Sequence, residues 1–167
     1  MIFCTIGTTN LRFPRLIQAL DSSLIGQTEL LILQGEVGEY ILRYPHVKLF
    51  HELPFHKMIY HMSRARAVIS HAGAGTFLLA LRYSNVKPFV LPRLLRYGEH
   101  IDNHQLFFLE YIHSHNLVVT NTDNTKLVRS LHTYLRHPPK QQNYQPKDRV
   151  WPLLHHLDSL THASKCA

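Results

Sequence analysis

Short β-prone apolar runs alternate with stretches of helical periodicity from residue 2 to residue 136, and this alternation limits the fold more than any other feature. The runs at 2–6, 29–34, 47–50, 67–70, 87–91 and 117–120 read as strands. The stretches at 13–24, 55–63, 74–84, 103–115 and 123–136 read as helices; in the first, Phe13, Leu16, Ile17, Leu20 and Leu24 share one face. The strand at 29–34 is apolar inside, as expected where both faces of a sheet are covered. Strand–helix alternation predicts an α/β fold: a Rossmann-like parallel sheet with helices on both faces. Ligands of such sheets bind beyond the carboxyl ends of the strands.

Two glycine turns fall on that edge, at Gly7 and at Gly73–Gly75. The second is Ser70-His71-Ala72-Gly73-Ala74-Gly75-Thr76, between the apolar Ala67-Val68-Ile69 and the helix formers Phe77-Leu78-Leu79-Ala80-Leu81. Glycines let the backbone approach a ligand closely, and the free amides of a helix's first turn form an anion site. His71 and the Thr76 hydroxyl add donors, so the turn suits a phosphate or diphosphate. A glycine turn of this kind also occurs in α/β proteins without a ligand. The dinucleotide fingerprint fits poorly, because Leu78 stands at its third glycine and the next strand ends in Pro92-Arg93 without an acid. The Gly-Lys-Ser/Thr of a Walker loop is missing as well.

A chain of 167 residues with 45% hydrophobic and 17% charged content fits one globular domain at 1–136. From His137 the pattern stops, leaving a linker and tail at 137–167 whose apolar segment Val150-Trp151-Pro152-Leu153-Leu154 packs back on the domain or docks on a partner. No apolar run spans a membrane, and the first residues lack a basic signal-peptide region. Cys4 and Cys166 are the only cysteines, which argues against a disulfide framework and for a reducing compartment. The net charge of +7 suits nucleic acid, an anionic membrane face or phosphate-bearing substrates. Nucleic acid is disfavoured, because no basic helix or aromatic–basic motif is present.

The spaced motifs together resemble the C-terminal, donor-binding half of GT-B glycosyltransferases of the MurG type, glycosyltransferase family 28. They are Phe3-Cys4-Thr5-Ile6-Gly7-Thr8-Thr9 with Phe13-Pro14-Arg15-Leu16-Ile17, then 68–76, then Lys87-Pro88-Phe89-Val90-Leu91-Pro92, then Gly98-Glu99-His100-Ile101-Asp102-Asn103-His104-Gln105-Leu106. Within that family the chain resembles the single-domain branches: the bacterial PssE-type exopolysaccharide subunits and the catalytic subunit of the eukaryotic dolichol-linked N-acetylglucosaminyltransferase. The lead-in Arg96-x-Gly98-Glu99-His100 favours the bacterial branch.

The resemblance implies an inverting, UDP-sugar-dependent hexosyltransferase. Gly73, Ala74, Gly75 and Thr76 would hold the diphosphate, with Ser70 and His71 beside it. Phe55 lies where relatives bind uracil, and Gly7, Thr8 and Thr9 face the cleft. Asn103, His104 and Gln105 match the contacts to the donor sugar. Relatives place a ribose-binding glutamate where this chain has Leu79, and Glu99 is the expected substitute. No cofactor or metal is expected. His100 and His104 stand four apart with Asp102 between them, but with no third ligand obvious a structural or sugar-binding role is favoured over zinc. The general base is expected on a membrane-anchored partner subunit carrying the acceptor half, with Arg93 and Arg96 facing it. The chain would then act at the cytoplasmic face of the membrane on a lipid-linked saccharide acceptor, in polysaccharide biosynthesis. The alternative is a non-catalytic subunit that binds a nucleotide sugar and regulates or stabilises a glycosyltransferase partner.

Overall fold

The computed structural model describes residues 1–141. Its elements run β1 (Ile2–Thr5), α1 (Pro14–Ser23), β2 (Leu31–Gln34), β3 (Val47–Phe50), α2 (Phe55–Arg64), β4 (Ala67–His71), α3 (Ala74–Tyr83), β5 (Phe89–Leu91), α4 (His104–Ser114) and α5 (Asn124–Arg136). All five strands are parallel, in the order β3-β2-β1-β4-β5. The chain therefore leaves β1 toward one side and returns to the other side at β4, so the crevice between β1 and β4 is the topological switch point.

Strand alternation divides the core. Ile2, Cys4, Ile6, Leu31, Leu33, Ile69 and Leu91 point to one face, where α1 covers them with Leu16, Ile17 and Leu20 and α5 with Leu127, Leu131 and Leu135. On the opposite face Phe3, Ile32 and Val68 meet Met62 of α2 and Ala80 of α3. Val90 joins Phe77, Phe108 and Ile112 of α3 and α4 on that side. Each such buried side chain contributes about 1.5–3 kcal/mol. Pro14 opens α1 at its first turn, where a missing amide costs nothing, and Asp123 caps α5 by accepting from the Thr125 amide at 2.9 Å.

The expected strand at 117–120 is reduced to a single parallel bridge, Val119 to Phe89. Val119 accepts from the Val90 amide, but the Thr120 hydroxyl takes the Val90 carbonyl at 2.6 Å. That carbonyl is the acceptor the next ladder bond needs, so pairing ends there. Beyond α5 the chain turns back along the sheet's edge, where Pro139 accepts from the Lys87 amide and Lys140 bridges Val86. The apolar segment around Trp151 and Cys166 lie outside the described residues. Among the described residues no helix is long and apolar enough to cross a membrane.

Candidate functional site

The last pleat before the carboxyl edge is a polar row. Thr5 pairs in register with Gln34 of β2 on one side and Ser70 of β4 on the other, and all three are buried. The Thr5 hydroxyl donates to Gln34 Oε1. Gln34 Nε2 donates to the carbonyls of Gly7 at 3.3 Å and His51 at 3.0 Å. Gln34 thus ties the turn after β1 to the loop before α2. Above this row lies a cavity of about 310 Å³ lined by Gly7, Thr8, Gln34, Leu53, Phe55, Met58, His71 and Thr76.

At the rim, α3 begins at Gly73, an N-cap with no side chain to cap the helix, so the first-turn amides of Ala74, Gly75 and Thr76 are free for a ligand. The glycines also serve a neighbour that the motif did not reveal. A Cβ on Gly73 would stand 2.2 Å from His71 Nε2, and one on Gly7, at φ +84°, would stand 3.0 Å from the same ring. The two turns leave a slot for the His71 imidazole. Gly75, by contrast, has open space where a Cβ would be.

The structure separates the expected site residues into two groups. Gly7, Thr8, Phe55, His71 and Thr76 meet around the cavity, with Gly73, Ala74 and Gly75 at its rim. Ser70 lies beneath it, its buried hydroxyl without a hydrogen-bond partner, and the Thr9 hydroxyl accepts from the Leu11 amide. Asn103, His104 and Gln105 stand on the other side, where α4 begins. Asn103 Oδ1 accepts from the Leu95 amide and Gln105 Oε1 from the Arg93 amide, so each holds the β5–α4 loop with one end of its side-chain amide.

Glu99 does not substitute for the ribose glutamate. Its side chain is fully buried, one oxygen receives Arg15 Nη2 at 2.9 Å and the Leu94 amide at 3.1 Å, and the other receives Arg15 Nε at 3.2 Å. Both oxygens are spent inside the protein. Leu79, at the family's glutamate position, packs into the apolar cluster of Phe3 and Met62. Arg93 likewise does not face outward. It is 1% exposed, and its guanidinium donates to the carbonyls of Ile6, Leu11, Arg12 and Glu99 while resting on the Phe13 ring at 4.7 Å. Arg96 is the exposed member of that pair.

Gln34 is absent from the sequence-based expectations, and the structural roles of Arg15 and Arg93 as buried clamps are not legible there either. The signal for Gln34 was available: it is the polar end of the apolar strand Leu31-Ile32-Leu33, on the ligand edge. A second groove, about 500 Å³ between α1 and α5, is lined by Arg15, Tyr97 and Asn124 among others, but these three bond one another.

A family model described as glycosyltransferase family 28 C-terminal domain matches residues 1–155. The chain belongs to that family. No curated protein sequence matches this family 28 domain. Among solved structures it is similar to the glycotransferase of kitacinnamycin, at 16% identity over 79% of this chain and 33% of the other, with a TM-score of 0.56. The glycosyltransferase SnogD from Streptomyces nogalater gives 16% identity, 83% and 38% coverage and a TM-score of 0.42. A flavodoxin-like domain from Synechococcus sp gives 12%, 81% and 97% coverage and 0.48. Only the first of these three scores supports an inference, and what it supports is the fold. The domain spans between a third and two-fifths of the two glycosyltransferase structures (33% and 38%).

In the family 28 domain His71 is held neutral. Burial, aided by the nearby charge of Arg93, pushes its pKa down to about 4 from 6.5. A histidine whose folded pKa lies below its unfolded value leaves stability intact above pH 6.5 and erodes it as pH falls toward 4, because the unfolded chain binds the proton first. The loss is on the order of 3 kcal/mol. Urea midpoints at pH 7 and pH 4.5 are expected to lie much closer together in His71→Gln than in the natural chain. Equal acid sensitivity in both would refute the assignment.

Proposed function

We propose that this domain binds a UDP-sugar at the β1/β4 crevice and is the donor-binding, catalytic subunit of an inverting hexosyltransferase. The observation that carries the reading is the uncapped N-terminus of α3 at the rim of the 310 Å³ cavity, on the topological switch point of the sheet. Free amides and the positive helix end meet the diphosphate, whose charge grows as the sugar leaves, and stabilising that leaving group is the main electrostatic task of the transfer. Thr76 adds a hydroxyl. His71, neutral in the free domain, contributes as a hydrogen-bonding group. Leu53, Phe55 and Met58 form an apolar wall suited to the uracil face. The reaction needs no catalytic metal on this account.

No carboxylate lines the cavity among the described residues, and an imidazole with a pKa of about 4 is a weak base at neutral pH. The base that activates the acceptor hydroxyl therefore belongs to the acceptor half. We place that half on a membrane-anchored partner subunit presenting a lipid-linked saccharide at the cytoplasmic face, as in the exopolysaccharide branch the motifs resemble.

Gly75→Asp tests the diphosphate site cleanly. The added side chain enters open space, so the variant is expected to fold, and its carboxylate stands against the incoming phosphates. UDP affinity by calorimetry is expected to fall at least tenfold, about 1.4 kcal/mol. Unchanged affinity in the folded variant would sink the assignment. The second reading, a non-catalytic nucleotide-sugar-binding subunit, draws on Leu79 and Glu99, which leave the ribose without an acidic partner from either position. The two readings part on Thr76→Ala in the assembled complex: loss of turnover supports catalysis through this site, and undiminished turnover supports the accessory role.

A further inference from the structure

Outside the cavity, His100, Asp102 and His104 gather where the β5–α4 loop enters α4. One ligand atom from each lies within 4.8 Å of the other two. His100 Nδ1 is 3.3 Å from Asp102 Oδ1, and His104 Nδ1 is 2.5 Å from the same oxygen, with the two rings perpendicular at 4.6 Å. His100 Nδ1 is buried and makes no hydrogen bond, although the carboxylate is beside it. His104 Nδ1 and Asp102 Oδ1 form a short hydrogen bond that a cation would replace, while the His100 nitrogen beside the same oxygen is left unpaired.

We infer that His100, Asp102 and His104 form a binding site for one borderline divalent cation of the zinc class, with a fourth position open to water. Two imidazoles and a carboxylate are a preferred donor set for zinc and its neighbours, whereas magnesium and calcium favour oxygen-only sites. Metal–ligand bonds of 2.0–2.1 Å in a tetrahedron put neighbouring ligand atoms about 3.3 Å apart. The His100–Asp102 pair already has that spacing. His104 has to move out from Asp102 by under an ångström, and its side chain, 55% exposed, is free to do so.

The surroundings fix the rest of the loop. Asp102 Oδ1 accepts from the His104 amide, Asn103 Oδ1 accepts from the Leu95 amide, and Arg93 grips the Glu99 carbonyl. A cation there would clip residue 100 to the first turn of α4, stiffening the loop that carries Asn103 and Gln105. This inference does not depend on the proposed transfer activity.

The test uses the tag-free full chain, prepared metal-free, with ZnCl2 followed by calorimetry and CoCl2 by visible absorption. One equivalent is expected, with tetrahedral cobalt bands and a melting temperature that rises with zinc concentration. Asp102→Asn and His104→Ala are each expected to weaken binding at least tenfold. Both positions are more than half exposed, so the variants should keep the native near-ultraviolet circular dichroism. His113→Ala, an exposed histidine outside the cluster, serves as control and should bind like the natural chain. No zinc binding, binding that survives both cluster variants, binding lost in the control, or equal competition by magnesium would each overturn the site.

Discussion

Replacing Arg93 by methionine is expected to cost about 3–5 kcal/mol of stability, a large share of what a domain of this size has. The guanidinium reaches across the fold to donate to the carbonyls of Ile6, Leu11 and Arg12, and it also binds that of Glu99. These groups belong to the β1–α1 loop and the β5–α4 loop, which face each other across the switch point. Methionine fills much of the volume but leaves buried acceptors unpaired, each a substantial penalty. Burial lowers the Arg93 pKa to about 10, against the pull of Glu99, so the group remains charged at neutral pH and its interactions with the carbonyls are charge-assisted. Lysine does not restore the network, because a single ammonium cannot reach acceptors spread around a planar fork. Urea unfolding measures the effect. A loss under about 1 kcal/mol for Arg93→Met would show that the clamp is dispensable.

Arg93 also shows where sequence reading ends. A lone arginine after a strand, next to Arg96 in a basic loop, looks like a solvated charge, and nothing in its neighbours shows that four carbonyls converge on it. The same holds for Glu99. The family resemblance made it the expected substitute for a ribose-binding glutamate, while the partner that consumes it, Arg15, is 84 residues away in the chain. Long-range pairs of this kind leave no periodic trace.

The sheet was legible because its strands are buried on both faces and announce themselves as apolar runs. Their polar ends were legible in principle too, since Thr5, Gln34 and Ser70 each close an apolar stretch, and the register places them side by side. What decided the strand at 117–120 was one hydroxyl of Thr120 competing for a carbonyl of another strand. The glycine turn at 73–75 was recognised for the right edge of the sheet. Its first glycine, however, makes room for the His71 ring, and only the second stands open at the helix end.

The 167-residue chain purified alone is expected to bind UDP or a UDP-sugar and to transfer nothing. The described residues form one Rossmann-like layer with an uncapped helix N-terminus at its edge, no carboxylate in the cavity and a histidine held neutral by burial. The kitacinnamycin glycotransferase structure it resembles is about three times as long as the part it matches (33%). A sugar transfer between two substrates gains most from holding both in line, and one binding layer supplies only the donor side of that geometry. Leu95, Tyr97 and Ile101 are exposed apolar side chains on the β5–α4 loop. Co-expression with a membrane-anchored subunit carrying that half is expected to move the protein to the membrane fraction and to switch on transfer to a lipid-linked acceptor from an undetectable level. Gly75→Asp in the same complex should abolish the gain without changing the fractionation, which separates donor binding from assembly. Robust transfer to a lipid-linked acceptor by the isolated chain would refute the split arrangement, because it would require the base and the acceptor site to reside on this polypeptide.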